Sequence, residues 1–249
     1  MKQPAKRFAM RPIGELFARP GKTGLAPSRG GLAGIEFALI APVLLTLLAG
    51  MYDLTEAYIA YERVNMCAQT IDQIGTTLAS GSIKTNTLNL FQTTSASSST
   101  YAYLPGILNA SPPAFGVIVS SIVMTPTVPG CTTGCTYTAH VAWSGNYGGT
   151  LGTKRPCDTV QGTSVITQTS DTAPPSPTTL PSDVYSAASL LVVDVTYVFT
   201  PQFFNFITSA FTISQSAYFP PRSGLLNPWI QYVYVPPDAT VLCAGYPSA

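Results

Sequence analysis

Cys131-Thr-Thr-Gly-Cys135, His140 and Cys157 stand close together in the sequence, and thiolates with an imidazole at such spacing are within range for a zinc ion. The same cysteines can form disulfides instead. With Cys243 they make two bridges in any of three pairings. Cys67 is then the unpaired thiol of five, expected to be buried and inert. Bridges are expected and a metal is not, because the composition described below points to an oxidising compartment. His140 is the only histidine. It sits in the alternating stretch 137–143, without a second imidazole and without a Gly-x-Ser-x-Gly nucleophile turn, so it reads as a surface strand residue. Asp158, Asp171, Asp183, Asp194 and Asp238 are scattered singly and form no paired-carboxylate motif. No Gly-rich phosphate loop follows a strand. The chain therefore reads as no enzyme, with no cofactor and no small-molecule substrate.

One more carboxylate stands out by its setting. Gly31-Leu32-Ala33-Gly34-Ile35-Glu36-Phe37 opens an apolar run in which residues 32–52 hold a single charge, Glu36. An ionisable group inside such a run is costly and marks a function by default. As a helix, residues 32–52 would span about 30 Å, enough to cross a hydrocarbon core. Pro42 lies inside the run; a membrane helix tolerates it with a local kink. Near the membrane boundary Glu36 could simply stay hydrated, so its setting alone does not fix its role.

The elements around these residues follow from composition and period. The formal charge is only +1, but residues 1–31 carry seven Lys/Arg against one acid, and residues 32–249 carry five against ten. A basic segment directly before an apolar span reads as the cytoplasmic flank of a membrane helix; a nucleic-acid arm is the alternative, and no nucleic-acid module follows it. Charged residues are only 9% of the chain, against about 25% for ordinary soluble domains. Ser, Thr, Pro, Gly and Tyr make the surface polar instead, as suits an extracytoplasmic, β-rich domain.

Residues 53–80 continue the helix, with Leu54, Tyr58, Tyr61, Val64, Ala68, Ile71, Ile74 and Leu78 on one expected face and Asp53, Glu56, Arg63 and Asp72 mostly elsewhere. Strands are expected at 116–124, 136–143, 189–199, 211–219 and 229–235. The amphipathic helix is the natural cover for their buried face. Residues 144–183, rich in Gly, Thr and Pro, read as long exposed loops. Phe203, Phe204, Phe206 and Phe211 read as an apolar patch on a short helix, packed in the core or against a subunit or membrane. The fold class is α+β: a long N-terminal transmembrane helix continuing into an amphipathic helix on a mostly antiparallel periplasmic sheet. The divisions are 1–31, a basic leader; 32–52, the membrane helix; 53–80, the amphipathic helix; and 81–249, the β-rich domain.

Two stretches carry a resemblance. Gly30-Gly31-Leu-Ala-Gly-Ile-Glu36-Phe37-Ala-Leu-Ile-Ala-Pro42, with the leucines after it and Tyr58–Val64, resembles the N-terminal segment of the TadE-like minor pseudopilins of tight-adherence (Flp-type) pilus systems. Val193–Phe199, Pro201 and Ile213–Arg222 resemble the family's closing region. The resemblance implies cleavage by a prepilin peptidase between Gly31 and Leu32, with Glu36 the fifth residue and Phe37 beside it. It also implies pairing of the Glu36 carboxylate with a subunit's N-terminal amine. Ala33, Gly34, Ala38 and Ala41 would allow close helix approach around Pro42. The implied partners are the membrane, the prepilin peptidase, other pilin or pseudopilin subunits and the pilus assembly platform. The implied location is the bacterial inner membrane, N-terminus cytoplasmic and C-terminal domain periplasmic, with incorporation into an extracellular pilus as an outcome. The rival reading is a membrane-anchored periplasmic enzyme or binding protein that uses the helix only as a tether. A larger TadG-type protein ranks below both, for want of an Asp-x-Ser-x-Ser motif.

Overall fold

The computed structural model describes residues 30–77, 82–84, 114–158, 164–203, 209–222, 229–233 and 241–246. Helix α1 runs from Gly30 to Thr77, close to the expected bounds, with Pro42 inside it. At 1.5 Å per residue it is about 70 Å long, over twice the thickness of a hydrocarbon core. It is long and apolar enough to cross a membrane once, with about half its length to spare. The chain divides into two units at Leu47 and Leu48. In the first, Ile35, Phe37, Leu39, Ile40, Val43 and Leu44 are each more than half exposed. The Thr46 hydroxyl donates to the Val43 carbonyl at 2.8 Å, which satisfies the one hydroxyl in this stretch locally.

The second unit is built on strands β1 (Ser82–Lys84), β2 (Phe115–Pro126), β3 (Tyr137–Gly149), β4 (Thr167–Thr169), β5 (Thr179–Pro181), β6 (Leu190–Phe199), β7 (Phe211–Phe219), β8 (Gln231–Val233) and β9 (Val241–Leu242). Five of them form one antiparallel sheet in the order β7-β6-β2-β3-β9. This is an α+β fold: one long apolar N-terminal helix, then an antiparallel sheet. The expected strand at 229–235 contributes β8, which pairs in parallel with β1 outside the main sheet. Phe211 opens β7 and does not lie on a short helix; Phe204 and Phe206 lie outside the described residues.

β2 is central, between β3 and β6, and every residue from Phe115 to Met124 is buried. Its alternate side chains face two separate cores. Val117, Val119 and Val123 join Leu191, Val193 and Val195 beneath Val64, Cys67, Ala68 and Ile71 of α1. Ile122 and Met124 join Val141, Val192, Ile166 and Leu180 on the other face. The register of β3 against β2 slips at two places. One slip leaves Ala142 without an opposite residue, so that both Ala142 and Trp143 reach the helix-side core. There the Trp143 indole N–H donates to the Ile230 carbonyl at 2.8 Å.

Two expectations are corrected here. The segment 144–183 is not a run of long exposed loops: residues 144–149 belong to β3, and among the described residues that follow, Arg155, Ile166 and Leu180 are buried and form a second cover on the sheet. Its apolar anchors are few and widely spaced, so composition hides them. The packed face of α1 agrees with the expected one at Val64, Ala68, Ile71 and Ile74 and departs from it just past the apolar run. Leu54, Tyr58 and Tyr61 are 72%, 64% and 43% exposed, whereas Ala57 and Ala60 pack on the core and Asp53 and Asp72 are buried. Small side chains let the helix backbone approach the sheet, a fit that a ranking by hydrophobicity misses. Leu78 lies outside the described residues.

Gly116 shows how tightly the second cover is held. The N–H groups of Thr150 and Leu151 both donate to the Phe115 carbonyl, at 3.1 and 3.3 Å, and a Cβ at position 116 would stand 1.8 Å from the Leu151 carbonyl oxygen. Glycine inside a strand here marks a close backbone approach. Gly116→Ala is expected to cost roughly 3 kcal/mol or more, measured by thermal or denaturant unfolding in detergent. An unchanged midpoint would contradict this packing.

Candidate functional site

The N-terminal candidates lie on the first turns of α1. The helix begins at Gly30, so the Gly31–Leu32 bond is inside its first turn. Glycine disfavours a helix by roughly 0.5–1 kcal/mol relative to alanine, so Gly30 and Gly31 weaken this turn. The side chains of Leu32 and Ala33 are not among those described. Glu36 is exposed, and Phe37 is 70% exposed. Ala38 is exposed and Ala41 partly so, and nothing lies within 4 Å of a Cβ placed on Gly34. This face of the helix is thus open for close approach by another helix.

The cysteines resolve into Cys131–Cys135, four residues apart, and Cys157–Cys243, 86 residues apart. These four sulfurs are therefore not thiolate ligands. Cys67 is free and buried, and burial pushes its thiol up to about 12, which makes it inert at ordinary pH. Cys131–Cys135 closes the tip of the β2–β3 hairpin, where Gly130 and Gly134 adopt positive φ. Cys157–Cys243 ties the second cover to the residue after β9.

His140 is not on the surface. It is 5% exposed, and its Nδ1 lies 2.6 Å from Oδ2 of Asp158. The other Asp158 oxygen accepts the Val165 N–H at 3.2 Å. Asp158 and Asp194 are thus partnered, not isolated. Arg155 reaches Asp194 through Nε and Nη2, at 2.8 and 2.9 Å, and donates through Nη1 to the Thr179 carbonyl at 3.0 Å. Ser216 also donates to Asp194. Both clusters join the second cover to the sheet: His140 and Asp194 stand on β3 and β6, and Asp158 and Arg155 on the segment laid over them. A cleft of about 180 Å³ opens beside Asp194, lined in part by Thr153, Ser214 and Gln215. It is smaller than the roughly 300–1,000 Å³ of ordinary small-molecule sites. Among the described residues, no group of three or more His, Cys, Asp or Glu side chains is placed to hold a metal ion.

Two acids on α1 carry roles that periodicity did not assign. Asp53 follows the apolar run directly and is 8% exposed. Its carboxylate accepts the Gln202 N–H at 3.1 Å and the Phe203 N–H at 3.2 Å, which fixes the chain after β6 to the helix. Asp72 is fully buried, and neither of its oxygens has a hydrogen-bond partner. Burial raises it to about 9, with a further push from Asp194; the Phe219 amide opposes this but falls short of a hydrogen bond. The usable sequence signal was an acid on the same helical face as Val64 and Ile71, in a chain with few charges.

The TadE-like protein family model matches residues 31–71. The match begins at the Gly31–Leu32 junction and covers the apolar run and most of the sheet-packed half of α1. It does not extend to the stretches 193–199 and 213–222 that resemble the family's closing region. No curated protein and no solved structure matches the chain.

Two outcomes follow from this geometry. Loop closure makes the 86-residue bridge worth far more than the four-residue one. Replacing Cys157 and Cys243 together by serine should cost about 2–4 kcal/mol, and the same change at Cys131 and Cys135 much less, in unfolding midpoints compared side by side. Asp72 is raised in the folded state, so its contribution to stability is complete below its unfolded value near pH 4 and is lost as pH climbs through about 9. Asp72→Asn mimics the protonated form and should flatten the decline in stability between those limits. Equal pH slopes for the two proteins would refute the assignment.

Proposed function

We propose that the chain is a membrane-anchored, Tad pilus-associated protein, and more narrowly a minor pseudopilin matured by a prepilin peptidase at Gly31–Leu32. The observation that carries the reading is the TadE-like match, which starts at residue 31 and takes in Glu36, Phe37 and Pro42. The long apolar helix supports the anchoring. The basic segment 1–31 supports a cytoplasmic N-terminus, which would place the sheet in the periplasm, where two disulfides are at home.

In this reading the chain performs no chemistry of its own. Removal of residues 1–31 exposes the Leu32 amine one helical turn from Glu36. An amine and a carboxylate that meet in an apolar setting offset each other's burial. The pair can form within one chain or between neighbours, and between neighbours it sets the axial register. Gly34, Ala38 and Ala41 let helices approach at short range. The buried His140–Asp158 and Arg155–Asp194 pairs act as clamps on the sheet.

N-terminal sequencing of the chain expressed in membranes, with and without a prepilin peptidase, tests the processing step. The expected result is a mature form beginning at Leu32 only when the peptidase is present. The processing claim is falsified if cleavage is absent or occurs elsewhere. Loss of pili on deletion of the gene separates an assembly role from a tether.

A further inference from the structure

The apolar run of α1 ends at Tyr52, and its last residues, from Leu48, belong to the same compact unit as the sheet. The level at which this unit meets a bilayer is therefore fixed by its own atoms. At that level the helix carries Asp53, and Asp53 holds the N–H groups of Gln202 and Phe203. The Phe203 ring packs edge-on against Tyr52, centroids 5.4 Å apart, yet remains 54% exposed. Phe211 is 45% exposed. It faces Phe199 across the β6–β7 pair, with ring centroids 5.3 Å apart, so it stands at the same end of the sheet. No charged residue occurs between Asp194 and Arg222. The next acid along the helix, Glu56, is one turn further on and only partly buried.

We infer that Phe203 and Phe211 are a second membrane contact: aromatic side chains inserted at the boundary between headgroups and acyl chains, beside the point where α1 leaves the bilayer. The occupant of this patch is the lipid interface. Aromatic residues gather at that depth, and the patch continues the exposed apolar surface of Leu48–Tyr52, with Asp53 between them buried. The carboxylate of Asp53 makes the contact possible. A chain reversal near hydrocarbon must satisfy its free amides within the protein, and Asp53 takes up two of them. The helix and the β6–β7 end together then hold the sheet at two points and restrict its rotation about the helix axis. The inference rests on the anchoring reading of residues 32–52.

The test uses the full-length chain in phosphatidylethanolamine–phosphatidylglycerol vesicles that carry nitroxide lipids labelled either near the headgroup or deep in the acyl chain. Phe203→Trp and Phe211→Trp are introduced singly. The resident Trp143 is 1% exposed and Trp229 partly buried, so the parent protein supplies the background. Val43→Trp, in the apolar run, reports the span itself. The expected result is loss of the added emission at 203 and 211 to the shallow label more than to the deep one, with the reverse order at 43. Emission at 203 and 211 that survives both lipid labels but is lost to aqueous iodide, with 43 still quenched, overturns the second contact and leaves the anchor standing; survival against iodide as well assigns the patch to a protein partner and overturns it equally. Emission at 43 untouched by lipid label removes the anchor and this contact together.

Discussion

A central strand buried on both faces sets the terms for the whole β-rich unit. From Phe115 to Met124, β2 has no exposed side, so the sheet needs two covers, not one. Helix α1 supplies the first, with Val64, Cys67, Ala68 and Ile71 over Val117, Val119 and Val193. The second comes from a segment with little of its own to bury. Ile166 and Leu180 are its main apolar anchors, and at about 25 cal/mol per Å² two such side chains cannot offset the ordering of so much chain. The polar and covalent ties answer that shortfall. Arg155–Asp194, His140–Asp158 and Cys157–Cys243 all join this segment to the sheet or its last strand.

Those ties are costly groups in a dry place, which explains their geometry. A buried guanidinium is tolerable when its donors are used; Arg155 spends them on both oxygens of Asp194 and on the Thr179 carbonyl. Ser144 links the layers further, taking the Arg155 N–H at 3.0 Å while it pairs with Ser120 of β2 at 2.8 Å. Asp72 is the contrast: an equally buried acid without a hydrogen-bonded cation, relieved by holding its proton.

What could be read in the sequence were the features written in period and length. Helix α1, β6 and β7 fall within a few residues of their expected bounds because long apolar or alternating runs admit one conformation. The unread features depend on contacts between distant residues. Disulfide pairing needs Cys157 to meet Cys243 in space. The burial of His140 needs a cover whose composition is that of a loop. The true face of α1 needs the fit of Ala57 and Ala60 to the sheet. The stretch from Gly31 through Glu36 and Phe37, which the TadE-like match takes in, stood out because a carboxylate near the start of an apolar run is rare. Asp53 did not, because its partners, Gln202 and Phe203, are remote in the chain.

Just past the apolar run, the outward side of α1 is not what a simple cover of a sheet needs. In a helix that serves only to cover a sheet, the outward side is polar. Here the outward side holds Leu54, Tyr58 and Tyr61, while two acids, Asp53 and Asp72, are turned inward. Exposed apolar surface thus continues from the apolar run as far as Tyr61, beyond which Glu62, Gln69 and Gln73 face outward and Val64, Cys67, Ala68 and Ile71 face the sheet. A pure tether has no need of this, since its burden ends at the membrane boundary. A subunit that meets other helices both within the bilayer and above it does, and the same surface would then be used twice: against lipid before assembly, and against neighbouring helices after it. The exposed apolar stretch from Leu54 to Tyr61 is a feature that the proposed assembly role uses and a tether does not.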